Sequence, residues 1–281
     1  MARLKFEQMY RHYNSKPHKA WVMALYHINK LKSIFRKLLI TLRIENSGKN
    51  TGAITYMKRF RHVRNSINTY FTPAMYGGEG KTSIEIGGFP GTMSLYFKRR
   101  GYSPTLLDFY VDPKIIDGLE ESNGFSKGDV EYIESDFFAF KSEKQYDLVF
   151  SIGFIEHFDD TADVIRRHVD LVKPGGTLFI ALPNFRGLNG WVQKVFDRRN
   201  YDAHNISSMI PSRLRAILGS LPLKDVKVQY TAKPMLWLEP QKGVKNKIAR
   251  KVVKFFSHAM KLFPVPSRLM SPYIVLTAEK I

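Results

Sequence analysis

Residues 79–281 predict an α/β fold, a doubly wound sheet whose strands alternate with crossover helices. Three observations carry this expectation. Short apolar runs alternate with segments of helical period, and glycine or Pro-Gly punctuation ends several of them. One run, YDLVFSIGF, is apolar almost throughout, as a strand covered on both faces requires.

Taken in order, TSIEIGG reads as a strand ended by glycine and GTMSLYFKRRG as a helix ended by Gly101. PTLLDF is a strand, and DPKIIDGLEESNG a helix ended by Gly124. VEYIESDFF and YDLVFSIGF follow as strands. TADVIRRHVDLVKPGG reads as a helix with a Pro-Gly-Gly stop, and TLFIALPN as the next strand. FRGLNGWVQKVFDRRNYDAHN reads as a loop with one short helix, and SSMIPSRLRAILGSL as a Ser-capped helix. VKVQYTAKP and YIVLTAEK read as the last two strands. Between them Val244, Ile248, Val252, Phe255, Ala259 and Leu262 recur at helical spacing, opposite Lys245, Lys247, Arg250, Lys251 and Lys254.

Ahead of the sheet, residues 1–78 read as a basic helical extension. Within it, residues 20–43 place Leu25, Ile28, Leu31, Phe35, Leu38 and Leu42 on one helical face. The expected organisation is this extension, then a domain over 79–281 carrying a basic amphipathic insertion at 240–270.

Charge divides the chain in the same way. The net charge is +19, yet residues 79–172 hold eighteen Asp/Glu against ten Lys/Arg. Residues 1–78 hold fifteen Lys/Arg against two acids, and no acid occurs from Pro240 to Ala278. An acidic centre between basic flanks points to an anionic partner for the flanks: nucleic acid, a membrane surface or a phosphorylated substrate. The chain has no cysteine, which excludes disulfides, thiolate metal sites and cysteine nucleophiles. The start, MARLKFEQMYRHYNSK, shows no secretory pattern, and no apolar run is long enough to span a bilayer, so the expected location is the cytoplasm.

The chemistry concentrates at EIGGFPG, residues 85–91. A helix that opens on a glycine turn offers free N–H groups and a positive dipole end. A dinucleotide turn would read G-x-G-x-x-G; here Gly87 and Gly88 are adjacent, Phe89 replaces the middle glycine and Pro90 has no N–H. Glu85 at the strand end would repel a diphosphate. These departures oppose a nicotinamide dehydrogenase and favour a cationic ligand without phosphate.

With acids at the ends of two further strands, the chain resembles the class I S-adenosylmethionine-dependent methyltransferases, whose first motif is E-x-G-x-G-x-G. The resemblance covers roughly residues 80–184 and the terminal strand. It implies a Rossmann-like, seven-stranded sheet with its last strand antiparallel, and S-adenosyl-L-methionine as cofactor. Carried over onto this chain, Glu85, Gly87, Gly88, Phe89 and Gly91 form the cofactor turn, and Asp108 in TLLDF holds the ribose hydroxyls. Asp136, with Phe137 beside it, meets the adenine amino group, while Ser151 and Gly153 close the end of the fourth strand beneath the methionine portion. Glu156 and His157, in GFIEHF, are the candidate catalytic pair for an alcohol acceptor, which needs a base. His204 and Asn205 are candidate substrate residues, and no metal site is expected.

The acceptor implied by the resemblance is a small molecule, a sugar of a surface glycan or a lipid-linked compound, methylated at oxygen. SIGF stands where base N-methyltransferases carry an Asn/Asp-Pro-Pro-aromatic turn, which opposes N6-adenine chemistry. The basic amphipathic helices either lie on an anionic membrane or cap the domain with their apolar stripes. Two alternatives stay open. One is an RNA or protein methyltransferase that grips its polymer with the basic flanks; the other is an inactive binding protein that keeps the fold.

Overall fold

The computed structural model describes residues 67–231, 233–238, 244–260 and 265–281. The helix expected over residues 20–43 lies outside them. Seven strands form one sheet: β1 (Thr82–Ile86), β2 (Ser103–Asp108), β3 (Glu131–Glu134), β4 (Tyr146–Ile152), β5 (Val172–Pro183), β6 (Leu223–Tyr230) and β7 (Tyr273–Lys280). Their spatial order is β3-β2-β1-β4-β5-β7-β6. The first five pair in parallel, and β7 runs antiparallel between β5 and β6. The order reverses between β1 and β4, so their C-terminal ends open a crevice where an α/β sheet binds ligands.

Helix α1 (Thr92–Lys98) follows β1, α2 (Pro113–Ser122) follows β2, and α3 (Thr161–Asp170) follows β4. Two of these starts are capped by aspartate: Asp112 accepts from the N–H of Lys114 and Asp160 from that of Asp163, both at 3.0 Å. After β5 come α4 (Leu188–Phe196), α5 (Arg198–Asp202) and α6 (Pro211–Gly219), and α7 (Val244–Met260) precedes β7. The segment read as a loop with one short helix therefore holds two helices. Asp197 separates the helices by capping the second, accepting from the N–H of Asn200. The helix read as Ser-capped instead opens at Pro211 on Ile210 with no side-chain cap, its leading serines lying in a 3-10 turn (Ile206–Met209).

The Pro-Gly-Gly stop also works differently from expectation. Helix α3 ends at Asp170, and Pro174, Gly175 and Gly176 lie inside β5. Pairing with β4 jumps from Tyr146↔Val172 to Leu148↔Thr177, so the glycines absorb a bulge rather than ending a helix.

Both faces of the sheet are covered. On one, Ile84, Val149, Ile180 and Leu276 pack against Val164 and Ile165 of α3 and Leu214 of α6. On the other, Phe97 of α1 meets Phe150 and Phe71 at 4.9 and 5.5 Å between ring centroids. Residues from Ile67 onward join this second core, with Phe71 and Met75 buried beside Phe179 and Ala181. Among the described residues no helix is long and apolar enough to cross a membrane.

Candidate functional site

The crevice at the sheet's switch point is a cavity with an empty volume of about 470 Å³, including its open mouth, lined in part by Gly87, Asp108, Ser135, Asp136 and Phe137. The size suits a small ligand. Its walls are strongly aromatic: Phe109, Phe138, Phe154 and Phe158 line it too, with Ile86 and Leu107. Those four rings and Ser135 were not among the sequence candidates. Each directly adjoins a sequence candidate (Phe109 to Asp108, Ser135 to Asp136, Phe138 to Phe137, Phe154 to Gly153, Phe158 to His157), and that adjacency was the legible signal.

Gly87 explains why the turn needs glycine. Its φ is +68°, and a Cβ there would collide with the Phe154 ring. The bare backbone thus leaves room between the end of β1 and the aromatic wall. Asp108 sits at the end of β2 with its carboxylate half-turned into the fold. It accepts from the N–H of Phe89 at 2.9 Å and from that of Tyr110 at 3.3 Å. Burial pushes its carboxyl up from the usual range, opposed by these N–H groups. Each oxygen keeps acceptor capacity, as a ribose diol would use. Phe89, the unusual member of the glycine motif, lends its N–H to this acid and packs its ring on Tyr110 at 5.8 Å.

Asp136 lines the same cavity, and one of its oxygens accepts from the N–H of Phe138 at 2.9 Å. Phe137 is buried, its ring 5.3 Å from Phe154 and 5.1 Å from His168. Glu85 is placed behind the turn rather than on the cavity wall. It is buried, and one oxygen accepts from both the N–H and the hydroxyl of Ser94, at 2.8 and 2.6 Å. It therefore ties β1 to the first turn of α1, where Gly91 at φ +87° opens the helix. A Cβ on Gly88 would strike the Glu85 carboxyl group, so the paired glycines also make room for this acid. Burial pushes the Glu85 carboxyl up to about 8.

Ser151 lies in the core: its hydroxyl donates to Nε2 of His168 at 3.1 Å, while His168 Nδ1 donates to the Val164 carbonyl. Gly153, at φ +74°, turns the chain out of β4 into the loop that carries Phe154, Glu156, His157 and Phe158.

That loop forms a second polar cluster. Glu156 is buried, its Oε2 has no hydrogen-bond partner among the described residues, and burial pushes its carboxyl up to about 8. The His157 ring stands 4.7 Å from that of His204, and burial followed by the charge of His204 pushes it down to about 3. His204 donates from Nδ1 to the Asn200 carbonyl at 2.6 Å, and burial pushes it down, opposed by this bond and by the charge of Asp197. Ligand-type atoms of Glu156, His157 and His204 lie within 4.8 Å of one another, a donor set that could hold a cation.

Asn205 spends its side chain on structure. Its amide donates to the Phe158 and Asp159 carbonyls, its oxygen accepts from Ser207, and its own N–H reaches the Glu156 carbonyl at 2.7 Å. It latches the loop after β4 to the segment after α5. Phe185, 4.6 Å from His204 and 5.9 Å from Trp237 between ring centroids, extends an aromatic wall from this cluster.

Comparison with known proteins agrees with this geometry. A family model described as a methyltransferase domain matches residues 57–227. The chain is 30% identical over 123 residues to the ubiquinone biosynthesis O-methyltransferase of Pseudomonas paraeruginosa (strain DSM 24068 / PA7), spanning 44% of this chain and 53% of that one. The enzyme of the same name from Salmonella newport (strain SL254) is 30% identical over 128 residues, spanning 45% and 52%. The chain thus spans about half the length of the curated relatives it matches. Among solved structures, phosphoethanolamine N-methyltransferase 2 of Haemonchus contortus superposes with a TM-score of 0.55 at 16% identity, covering 88% of this chain and 60% of that one. A putative sarcosine dimethylglycine methyltransferase from Galdieria sulphuraria gives 0.52 at 12% identity, covering 78% and 85%. These two likenesses establish the fold. The glycine turn, the strand-end acids, the sheet order and the family match together place this chain in the class I S-adenosylmethionine-dependent methyltransferase family.

Proposed function

We propose that this protein transfers a methyl group from S-adenosyl-L-methionine to a hydroxyl oxygen of a small-molecule, sugar or lipid-linked acceptor. The cavity fits the cofactor on its own chemistry. Asp108 supplies acceptors for paired ribose hydroxyls, Asp136 one for an exocyclic amine, and the phenylalanines a wall for the adenine ring. The Gly87 turn leaves space that a side chain would fill. The negative charge of this region suits a sulfonium.

The observation that carries oxygen chemistry is the Glu156–His157–His204 cluster at the mouth of β4. Bound cofactor supplies an activated methyl on a cationic sulfur. The acceptor oxygen forms the new C–O bond as the C–S bond breaks, and S-adenosylhomocysteine leaves. The hydroxyl proton needs a destination. The His157 and His204 imidazoles are the nearest acceptors; burial disfavours their protonated form, so the step requires ionised Glu156 beside them to stabilise the imidazolium. Because burial pushes Glu156 up to about 8, the pair gains this capacity as pH rises through that value. The aromatic wall at Phe185 and Trp237 favours an acceptor with an apolar or ring portion. Relatives that match half their length to this chain are O-methyltransferases of ubiquinone biosynthesis, which supports a small acceptor methylated at oxygen.

The test is transfer of labelled methyl from the cofactor into fractionated extract. The reading requires label in a small-molecule, glycan or lipid fraction, stable to conditions that cleave N- and S-methyl groups. Label confined to RNA or protein would replace it with the polymer reading. Tight cofactor binding without transfer to any fraction would leave a binding protein.

A further inference from the structure

Of the two arrangements the sequence left open for the apolar stripe of α7, capping the domain is not the one found. The residues this helix buries are Val253 and Ser257, with Ala249 partly covered; Val253 packs with Val192 of α4 and Leu238, and Ser257 accepts from the N–H of Leu236 at 3.0 Å. Ile248, Val252 and Phe255, read as the stripe, face outward with Phe256 beside them, and Phe255 is 71% exposed. At 3.6 residues per turn, Ile248, Val252, Phe255 and Phe256 fall on one flank of the buried line. Lys247, Arg250, Lys251 and Lys254 fall on the other.

The neighbouring helix α4 adds to this surface. It tucks Val192 under α7 but leaves Trp191 60% exposed, with Val195 and Phe196 also in the open. Folding has buried neither set, and no carboxylate occurs from Pro240 to Ala278 to pair with the lysines.

We infer that the α4–α7 face docks on an anionic lipid bilayer. A bilayer interface is the partner that is apolar and negatively charged at once, and a helix with an apolar flank beside a cationic flank lies in it. The other occupants fit less well. A second copy would set one row of cations against another. The chain's own residues 1–66, with fifteen Lys/Arg and two acids, carry the same sign. A nucleic acid would satisfy the lysines and leave Phe255, Phe256 and Val252 in water. The helix α4 that carries Trp191 starts just beyond Phe185, so docking would bring the bilayer near the aromatic wall of the acceptor region. The inference holds for any acceptor, because it rests on the surface alone.

Sedimentation of the full chain with vesicles of phosphatidylcholine containing about one-third phosphatidylglycerol, against phosphatidylcholine alone, tests it. The expected result is selective binding to the anionic vesicles, weakened about tenfold or more by F255S/F256S and comparably by K251E/K254E. Trp191 emission should shift to the blue on vesicle addition and be quenched by brominated lipid, and W191F should remove that signal. All five side chains are exposed, so thermal unfolding of the variants should match the parent. Unchanged vesicle binding in both double variants would overturn the inference. So would a vesicle-free dimer that F255S/F256S dissolves, or RNA binding that K251E/K254E abolishes while vesicle binding persists.

Discussion

Two buried glutamates stand at or just beyond the ends of neighbouring parallel strands, and the difference between them separates the two halves of the site. Glu85 ends β1 and Glu156 lies in the loop after β4; burial pushes both carboxyls up to about 8. Glu85 has its oxygen taken by the N–H and hydroxyl of Ser94, so it holds a helix start in place. Among the described residues Glu156 keeps Oε2 without a partner, and it stands with two imidazoles. A buried carboxyl oxygen left without a partner costs stability, which points to work at the site rather than to the fold. The half built on β1–β3 presents carboxylates already fixed by backbone N–H groups. The half beyond β4 holds the polar groups that the proposed reaction would use.

This contrast can be broken most directly at Glu156. E156Q should lower turnover about a thousandfold while cofactor affinity, read by calorimetry, stays within about twofold. Equal loss of both would mean that Glu156 only supports the fold. D108A should do the reverse, weakening cofactor binding about a hundredfold through lost charged hydrogen bonds, with a smaller effect on unfolding. Retained affinity in D108A would move the ribose elsewhere.

Replacing Asn205 with alanine removes the latch between the loop after β4 and the segment after α5. It should cost about 2 kcal/mol in urea unfolding and raise KM for the acceptor more than for the cofactor. An unchanged midpoint would show that the loop is held by its aromatic packing.

The smallest effect is on pH dependence. The two glutamates prefer their protonated form when folded, so their stabilisation is complete below about 4.5 and fades as pH rises through about 8. His157 and His168, pushed down to about 3 and 4, prefer their neutral form, so their contribution is complete above about 6.5 and fades as pH falls through those values. Of these four groups only the glutamates act above pH 7. Unfolding midpoints should therefore fall between pH 7 and 8.5, and E156Q should flatten part of that slope. A parent that gains stability over this range would contradict the burial of both acids.

Much of the fold was legible because it rests on local chemistry. Glycines at 87, 101, 124 and 153 take positive φ where strands or helices end, and the apolar run of β4 is indeed covered on both faces. The strand-end acids were legible too, since Asp108 closes the apolar run TLL and Asp136 follows the strand-like VEYIES. Pro174 misled because proline usually stops a helix, whereas here the bulged pairing of β5 with β4 accommodates it.

The sequence by itself determined the alternating strands and helices, the glycine turn and the order of the acids, since each depends on backbone freedom and residues a few positions apart. Only the tertiary structure decided which acid meets the cavity and which lies behind it. It also decided that His157 and His204, 47 positions apart, share one cluster, and that Phe255 faces outward while Val253 packs inward. Burial depends on what lies across the gap from a side chain, and periodicity along one segment says nothing about the neighbour that will cover it.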